Sequence, residues 1–326
     1  MNPQKTYKKI LSSITVAGLA LSIMSAQALT ISPARAELTG DKGETISDSF
    51  LIINEQETQQ TFYTTVENFD SQGETGTPNF TTSKEGLPSW VTVPEKITLN
   101  KGERVKIPYS IAIPQNAESG GHFAAIFLST VPPAIGEGQV SVGAKVGMLI
   151  LLKVTGDVKE EGGLLSFTIQ EGKKFLTSLP VHFSFRFNNK GNDRVKPEGD
   201  IVVKNMFGVE TARIDANKSL GNILPGSVRH FEAVLGDAEA PAPSAAFFDH
   251  VKFQMNHFAF GAYFATVSLK FGNAGVAESS LTYFVLPWQL MVVVTGLVLI
   301  VLVLLATLLK RYNKWIIKQA RQAAKK

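Results

Sequence analysis

Short apolar runs that alternate with polar residues, broken by turn signals about every ten residues, constrain the fold of this chain more than any other feature. In "VHFSFRF", Val181, Phe183, Phe185 and Phe187 fall on one face, and His182, Ser184 and Arg186 on the other. A period of two describes a strand with one buried face. Runs of similar character are "SDSFLIIN", "QTFYTTVEN", "RVKIPYSIAI", "HFAAIFLSTV", "GMLILLKVT", "GDIVVKN", "VRHFEAVL" and "AYFATVSLKF". Between them lie "GDKGE", "NKGE", "NAESGG", "NNKGND", "LPGS" and "FGNAG", rich in residues that turn a backbone. No amphipathic helix of useful length is expected before residue 286. The pattern predicts an all-β chain: two tandem immunoglobulin-like β-sandwiches, followed by a single transmembrane helix.

The polar, glycine-bearing stretch "TGDVKEEGG", residues 155–163, marks the expected boundary. It separates a first domain, residues 29–155, from a second, residues 156–285. An internal repeat supports the division. In the first half "LNKGERVKI" precedes "GHFAAIF", and in the second "LPGSVRHF" precedes "GAYFATV". Aligned on G-x-[aromatic]-x-A, the repeat matches Gly121 with Gly261 and Phe123 with Tyr263, four residues expected to serve the fold.

The two ends carry membrane signals. Lys5, Lys8 and Lys9 precede the apolar "ILSSITVAGLALSIMS" and the small-residue site Ala26-Gln27-Ala28. Residues 1–28 therefore read as a signal peptide. A second small-residue site ends at Ala36, and an uncleaved amino-terminal anchor is the alternative reading. At the other end no charge occurs between Glu278 and Lys310. The 22 residues 288–309 reach about 33 Å as a helix, enough for a hydrocarbon core of about 30 Å. Residues 286–309 are the expected span, with Trp288 anchoring its outer edge and Lys310 and Arg311 its inner edge. The tail 310–326 holds seven Lys and Arg and no acid. By the positive-inside rule it is cytoplasmic, and the chain is a single-pass protein of the cell membrane with an exported amino-terminal region. The tail serves as a topology signal or as an amphipathic helix whose Trp315, Ile316 and Ile317 touch membrane lipid.

With the three leader lysines and seven tail cations set aside, residues 29–285 carry 22 basic and 28 acidic residues, a net charge of −6. That balance excludes a broad nucleic-acid surface. The chain has no cysteine, which removes Cys nucleophiles and Cys zinc sites and leaves the domains to be held by their cores. His122 follows two glycines in "SGGHFAAIF", but no G-x-S-x-G accompanies it. His250 and His257, with Asp249 nearby, are seven residues apart, which on a strand places them on opposite faces. No metal, cofactor or catalytic set is assigned, and no enzymatic activity is expected. The aromatic stretch "FFDHVKFQMNHFAFGAYF", residues 247–264, reads either as core strands with their loop or as an exposed patch for a partner or the membrane surface.

This layout, with the opening "LTISPARAEL", the strand end "FLIIN" and the segment "IPQNAESGGHFAAIF", resembles the WxL-interacting proteins of bacterial cell surfaces. The resemblance implies a peptidoglycan-binding-like first domain and a second domain that binds a host or partner protein. The expected role is a membrane-anchored envelope protein that binds cell-wall polymer or a surface or secreted protein. The alternative is a chaperone-like assembly factor that adds a strand to exported subunits.

Overall fold

The computed structural model describes residues 29–133, 145–169, 172–237 and 239–323; the signal-peptide reading of residues 1–28 lies outside them. The chain forms two units, Met1–Asp70 with Phe80–Asp157, and Ser71–Asn79 with Val158–Lys326.

The first unit is a two-sheet β-sandwich. Its elements are β1 (Leu29–Ser32), β2 (Arg35–Gly40), β3 (Thr45–Asn54), most of β4 (Gln60–Gln72), the end of β5 (Thr77–Thr81), α1 (Leu87–Trp90), β6 (Val91–Thr92), β7 (Lys96–Leu99), β8 (Arg104–Ala112), β9 (Gly120–Ser129) and β10 (Lys145–Val154), the hairpin residues Ser71–Asn79 being counted with the second unit. One sheet runs β1-β3-β8-β6, the other β2-β10-β9-β4-β5, with β7 also on β4. The amino-terminal segment changes sheets: β1 lies antiparallel on β3, and β2 lies parallel on β10. Alternate residues of facing strands fill the interior, among them Phe50, Ile52, Ile126, Leu128, Met148 and Ile150.

The second unit repeats the plan with β11 (Gly162–Ile169), β12 (Phe175–Leu176), β13 (Val181–Asn189), β14 (Glu198–Asn205), β15 (Glu210–Asp215), β16 (Val228–Leu235), α2 (Phe247–Asn256), β17 (Gly261–Phe271), β18 (Gly275–Val285) and α3 (Trp288–Ala323). Its sheets run β11-β13-β16 and β12-β18-β17-β14-β15. The alternation of "VHFSFRF" is realised as expected: Val181, Phe183, Phe185 and Phe187 are all buried. Phe185 stacks on Phe231 at 5.0 Å, and Phe187 meets Phe271 edge-on at 5.0 Å.

Tyr283 lies in this core with its ring stacked on Tyr263 at 5.4 Å. Its hydroxyl is buried without a hydrogen-bond partner, and burial pushes its pKa up. A buried polar group left unpaired carries its full desolvation penalty, about 1–3 kcal/mol. Tyr283→Phe is therefore expected to raise the stability of the second domain by roughly 1–2 kcal/mol in denaturant unfolding of the detergent-solubilised chain. A drop in stability would show that the hydroxyl is bonded in the folded protein.

The repeat survives in three dimensions, but with a different register. Gly120 pairs with Val154 at one end of the β9–β10 ladder, and Gly261 pairs with Val285 at the same end of β17–β18. Ala124, Ile126 and Leu128 enter the first core four, six and eight residues after Gly120. Ala265, Val267 and Leu269 do so at the same offsets from Gly261. Gly261 thus corresponds to Gly120, not Gly121, and Tyr263 corresponds to His122, not Phe123. A slip of one residue moves a side chain to the other face. Phe123 accordingly lies outside the core, against Phe69 at 5.8 Å, while Tyr263 packs inward.

The turns before β8 and β16 are also equivalent. Asn54 ends β3 fully buried; its Nδ2 donates to the carbonyls of Thr58, Leu99 and Asn100. Asn189 in β13 is equally buried and donates to the carbonyls of Asp193 and Ile223. In each case the Asn carbonyl accepts from the turn glycine, Gly102 or Gly226.

Two departures concern helices. Residues 247–256 form α2, where no helix was expected. The apolar helix also does not stop at residue 309: α3 runs unbroken from Trp288 to Ala323, about 54 Å over its 36 residues. Among the described residues it is the one helix long and apolar enough to cross a membrane.

Candidate interaction surfaces

The first candidate is a sheet edge. β10 pairs along its whole length with β9, but β2 covers only Leu149–Val154. Beside Lys145, Val146, Gly147 and Met148 no strand is hydrogen-bonded on the other flank among the described residues, where β1 passes nearby but pairs with β3. The N–H of Leu149 donates to the carbonyl of Ala34, 3.0 Å away, so odd-numbered residues of β10 direct their backbone groups to that side. By alternation Lys145 and Gly147 present N–H and C=O to the open flank. Side chains hold this stretch firmly. Met148 is buried in the core, and Lys145 pairs with Glu67 at 2.7 Å and lies over the Phe127 ring. An unpaired flank on a rigid strand is a template for an incoming extended segment.

The second candidate is one end of the second unit. The last residue of β18, Val285, sits opposite the first of β17, Gly261, and Asn205 at the end of β14 sits opposite Tyr263. β12 lies alongside, Phe175 opposite Phe284. This end therefore gathers Phe175, Met206, Phe207, Phe264, Phe284 and Leu286, all exposed; Phe175 stacks on Phe284 at 5.2 Å. Three residues beyond Val285, α3 begins.

α2 is latched to that beginning. Gln254, buried on α2, donates from Nε2 to Oε1 of Gln289 at 2.6 Å, and its own Oε1 accepts from the Leu290 N–H at 3.0 Å. The second bond satisfies one of the orphan donors in the first turn of α3. The Phe247 ring meets Trp288 edge-on at 6.1 Å. Around the helix from Gln254, α2 and the segment after it leave Phe248, Met255, Phe258 and Phe260 exposed. Within residues 247–264, Ala259 is buried and Tyr263 packs on the second core, while Phe248, Met255, Phe258, Phe260 and Phe264 are exposed.

The other singled-out residues take structural places. His122 packs on Trp90 at 4.7 Å, with Nε2 2.9 Å from the Glu118 carbonyl. His250 lies within α2 and His257 at its carboxy-terminal cap, where it stacks on Phe253 at 4.4 Å. Among the described residues no group of three or more His, Asp or Glu is placed to hold a metal. One Ser–His–acid grouping does occur: Nε2 of His230 is 3.4 Å from Oγ of Ser184 and 3.4 Å from Oε1 of Glu232. Both approach the same ring nitrogen, whereas a nucleophile–base relay needs the acid on the other one. Trp288, Lys310 and Arg311 all lie exposed on α3.

Among solved structures, the chain is similar to the class 5 fimbriae chaperone CfaA (15% identity, 80% of this chain and 100% of that one, TM-score 0.37). It is also similar to the CsuC–CsuE chaperone–tip subunit pre-assembly complex of Acinetobacter baumannii Csu pili (10%, 78% and 98%, TM-score 0.36). The E. coli chaperone DraB is a further neighbour (11%, 79% and 96%, TM-score 0.34). With each TM-score below 0.5, these likenesses carry no inference about what the chain binds. No family model matches the sequence. No curated protein matches it.

Proposed function

We propose that this chain is a membrane-anchored envelope protein whose first β-sandwich takes up an extended segment of another exported protein along β10, acting as a chaperone-like assembly factor. The observation that carries the reading is the open flank at Lys145–Met148, beside a strand otherwise paired on both sides. Backbone pairing gives such an edge affinity for any extended peptide, and side-chain pockets add selectivity. A glycan wall polymer offers no strand backbone to pair there, so the flank favours a protein partner. The apolar length of α3 and its cationic tail support the anchoring part of the reading.

Lys145→Pro tests the reading. It removes an N–H directed at the open flank, at the first residue of the strand, where proline is tolerated. It also removes the pair with Glu67, so Lys145→Met is the control that loses the charge and keeps the N–H. Full-length tagged protein is crosslinked in cells and recovered from membranes. Exported subunits should co-purify about two- to tenfold less with Lys145→Pro, the equivalent of roughly one hydrogen bond, and at the normal level with Lys145→Met. Equal recovery with both variants, or binding to purified peptidoglycan in place of protein, overturns it.

A further inference from the structure

We propose that the end of the second β-sandwich nearest α3 is itself a lipid-contacting surface, an apolar collar that lies in the bilayer interface. The proposal rests on the reading of α3 as a membrane span. Exposed aromatic and methionine side chains are concentrated there: Phe207 is 80% exposed, Phe175 73%, Phe248 72%, Phe258 64% and Met255 62%. Side chains this apolar are ordinarily withdrawn from water, and a contiguous exposed set marks a contact surface.

Continuity with α3 identifies what that surface meets. The Gln254 latch holds α2 against the first turn of α3, so the exposed face of α2 cannot leave the level at which the apolar helix begins. The strand register brings Phe175, Phe264 and Phe284 to the same level. If α3 enters a membrane at Trp288, a residue suited to the head-group region, the collar is already there. Interfacial segments of this kind bury their apolar face about 5–10 Å deep at the head-group boundary. Lysines flank the aromatic rings: Lys174 precedes Phe175, Lys204 pairs with Phe264, and Lys252 is exposed on α2. They suit anionic head groups. Asp249 is the acid on α2.

The absence of cysteine makes the test direct, because every introduced thiol is unique. Full-length Phe248→Cys, Phe258→Cys, Val276→Cys and Leu299→Cys are each labelled with an environment-sensitive fluorophore. They are reconstituted into phosphatidylethanolamine–phosphatidylglycerol vesicles carrying nitroxide lipids, shallow or deep. Val276 is exposed and apolar but lies nine residues up β18 from Val285, about 30 Å from the collar. Leu299 lies in α3. The expected result is loss of fluorescence to shallow nitroxides at positions 248 and 258, to deep nitroxides at 299, and none at 276. Quenching at 299 without quenching at 248 and 258 overturns the collar and leaves the span standing. No quenching at 299 overturns the span itself. Equal quenching at 276 and 248 overturns a contact confined to this end.

Discussion

Asn189→Ala is expected to destabilise the second β-sandwich by about 2–4 kcal/mol, as a buried side chain that bonds several backbone groups would. Asn189 is fully buried. Its Nδ2 donates to Asp193 O at 2.7 Å and Ile223 O at 2.9 Å, and its Oδ1 accepts from Gly191 N–H at 2.9 Å. Alanine removes all three bonds at once, although Ile223 O still accepts from the Val195 N–H and the Gly191 N–H still donates to Glu161 O. The cost is that of three lost bonds, each about 0.5–1.5 kcal/mol. Asn189→Asp keeps the volume and Oδ1 but removes both donors, and should lose most of the same stability. Asn54→Ala is the counterpart in the first domain, where Nδ2 meets three carbonyls at 2.9–3.2 Å. Hydrogen exchange on the full chain reads the two separately. Asn189→Ala should weaken protection in β11–β18 alone, and Asn54→Ala in β1–β10 alone. Loss of protection in both domains from either change would show that the two do not fold as independent units.

The second large effect lies at the glycines that open β9 and β17. Gly120 has φ +120° and Gly261 φ +98°, values that side-chain-bearing residues rarely adopt. A Cβ on Gly261 would also come within 2.1 Å of Met206 Cε, although that atom ends a flexible chain and can move. Gly261→Ala and Gly120→Ala are each expected to destabilise their domain by about 1–3 kcal/mol, while Gly121→Ala, at an ordinary strand dihedral, should have a small effect. Denaturant midpoints of the three variants decide the repeat register. If Gly121→Ala proved the costlier change, the pairing of Gly120 with Gly261 would be wrong.

Much of the fold was legible because its cause is local. Period-two runs such as Val181 to Phe187 carry their own signature, and so does the uncharged stretch 288–309. Register was harder. Adjacent glycines at 120 and 121 both fit the repeat, and only the ladder with β10 shows which one occupies the turn. Helix α2 was missed because its inward side includes a polar residue. Gln254 is buried by a partner 35 residues away, and no periodicity in "FFDHVKFQMN" reveals that. The open flank of β10 is likewise a matter of where β2 begins, with Arg35 opposite Leu149. Composition says nothing about it.

The way each domain is closed by its amino-terminal segment has a mechanical consequence. β2 runs parallel to β10 through six residue pairs, and β12 runs parallel to β18 through only two. When a chain is pulled from its ends, a parallel terminal pair is loaded in shear, and all its bonds must give together. If the protein grips a partner along β10, as proposed above, tension passes from β10 through the second domain to α3 and so across the β12–β18 clamp. The two-pair clamp next to the anchor is the weaker and yields first, which would lengthen the tether while the gripping domain keeps its shape.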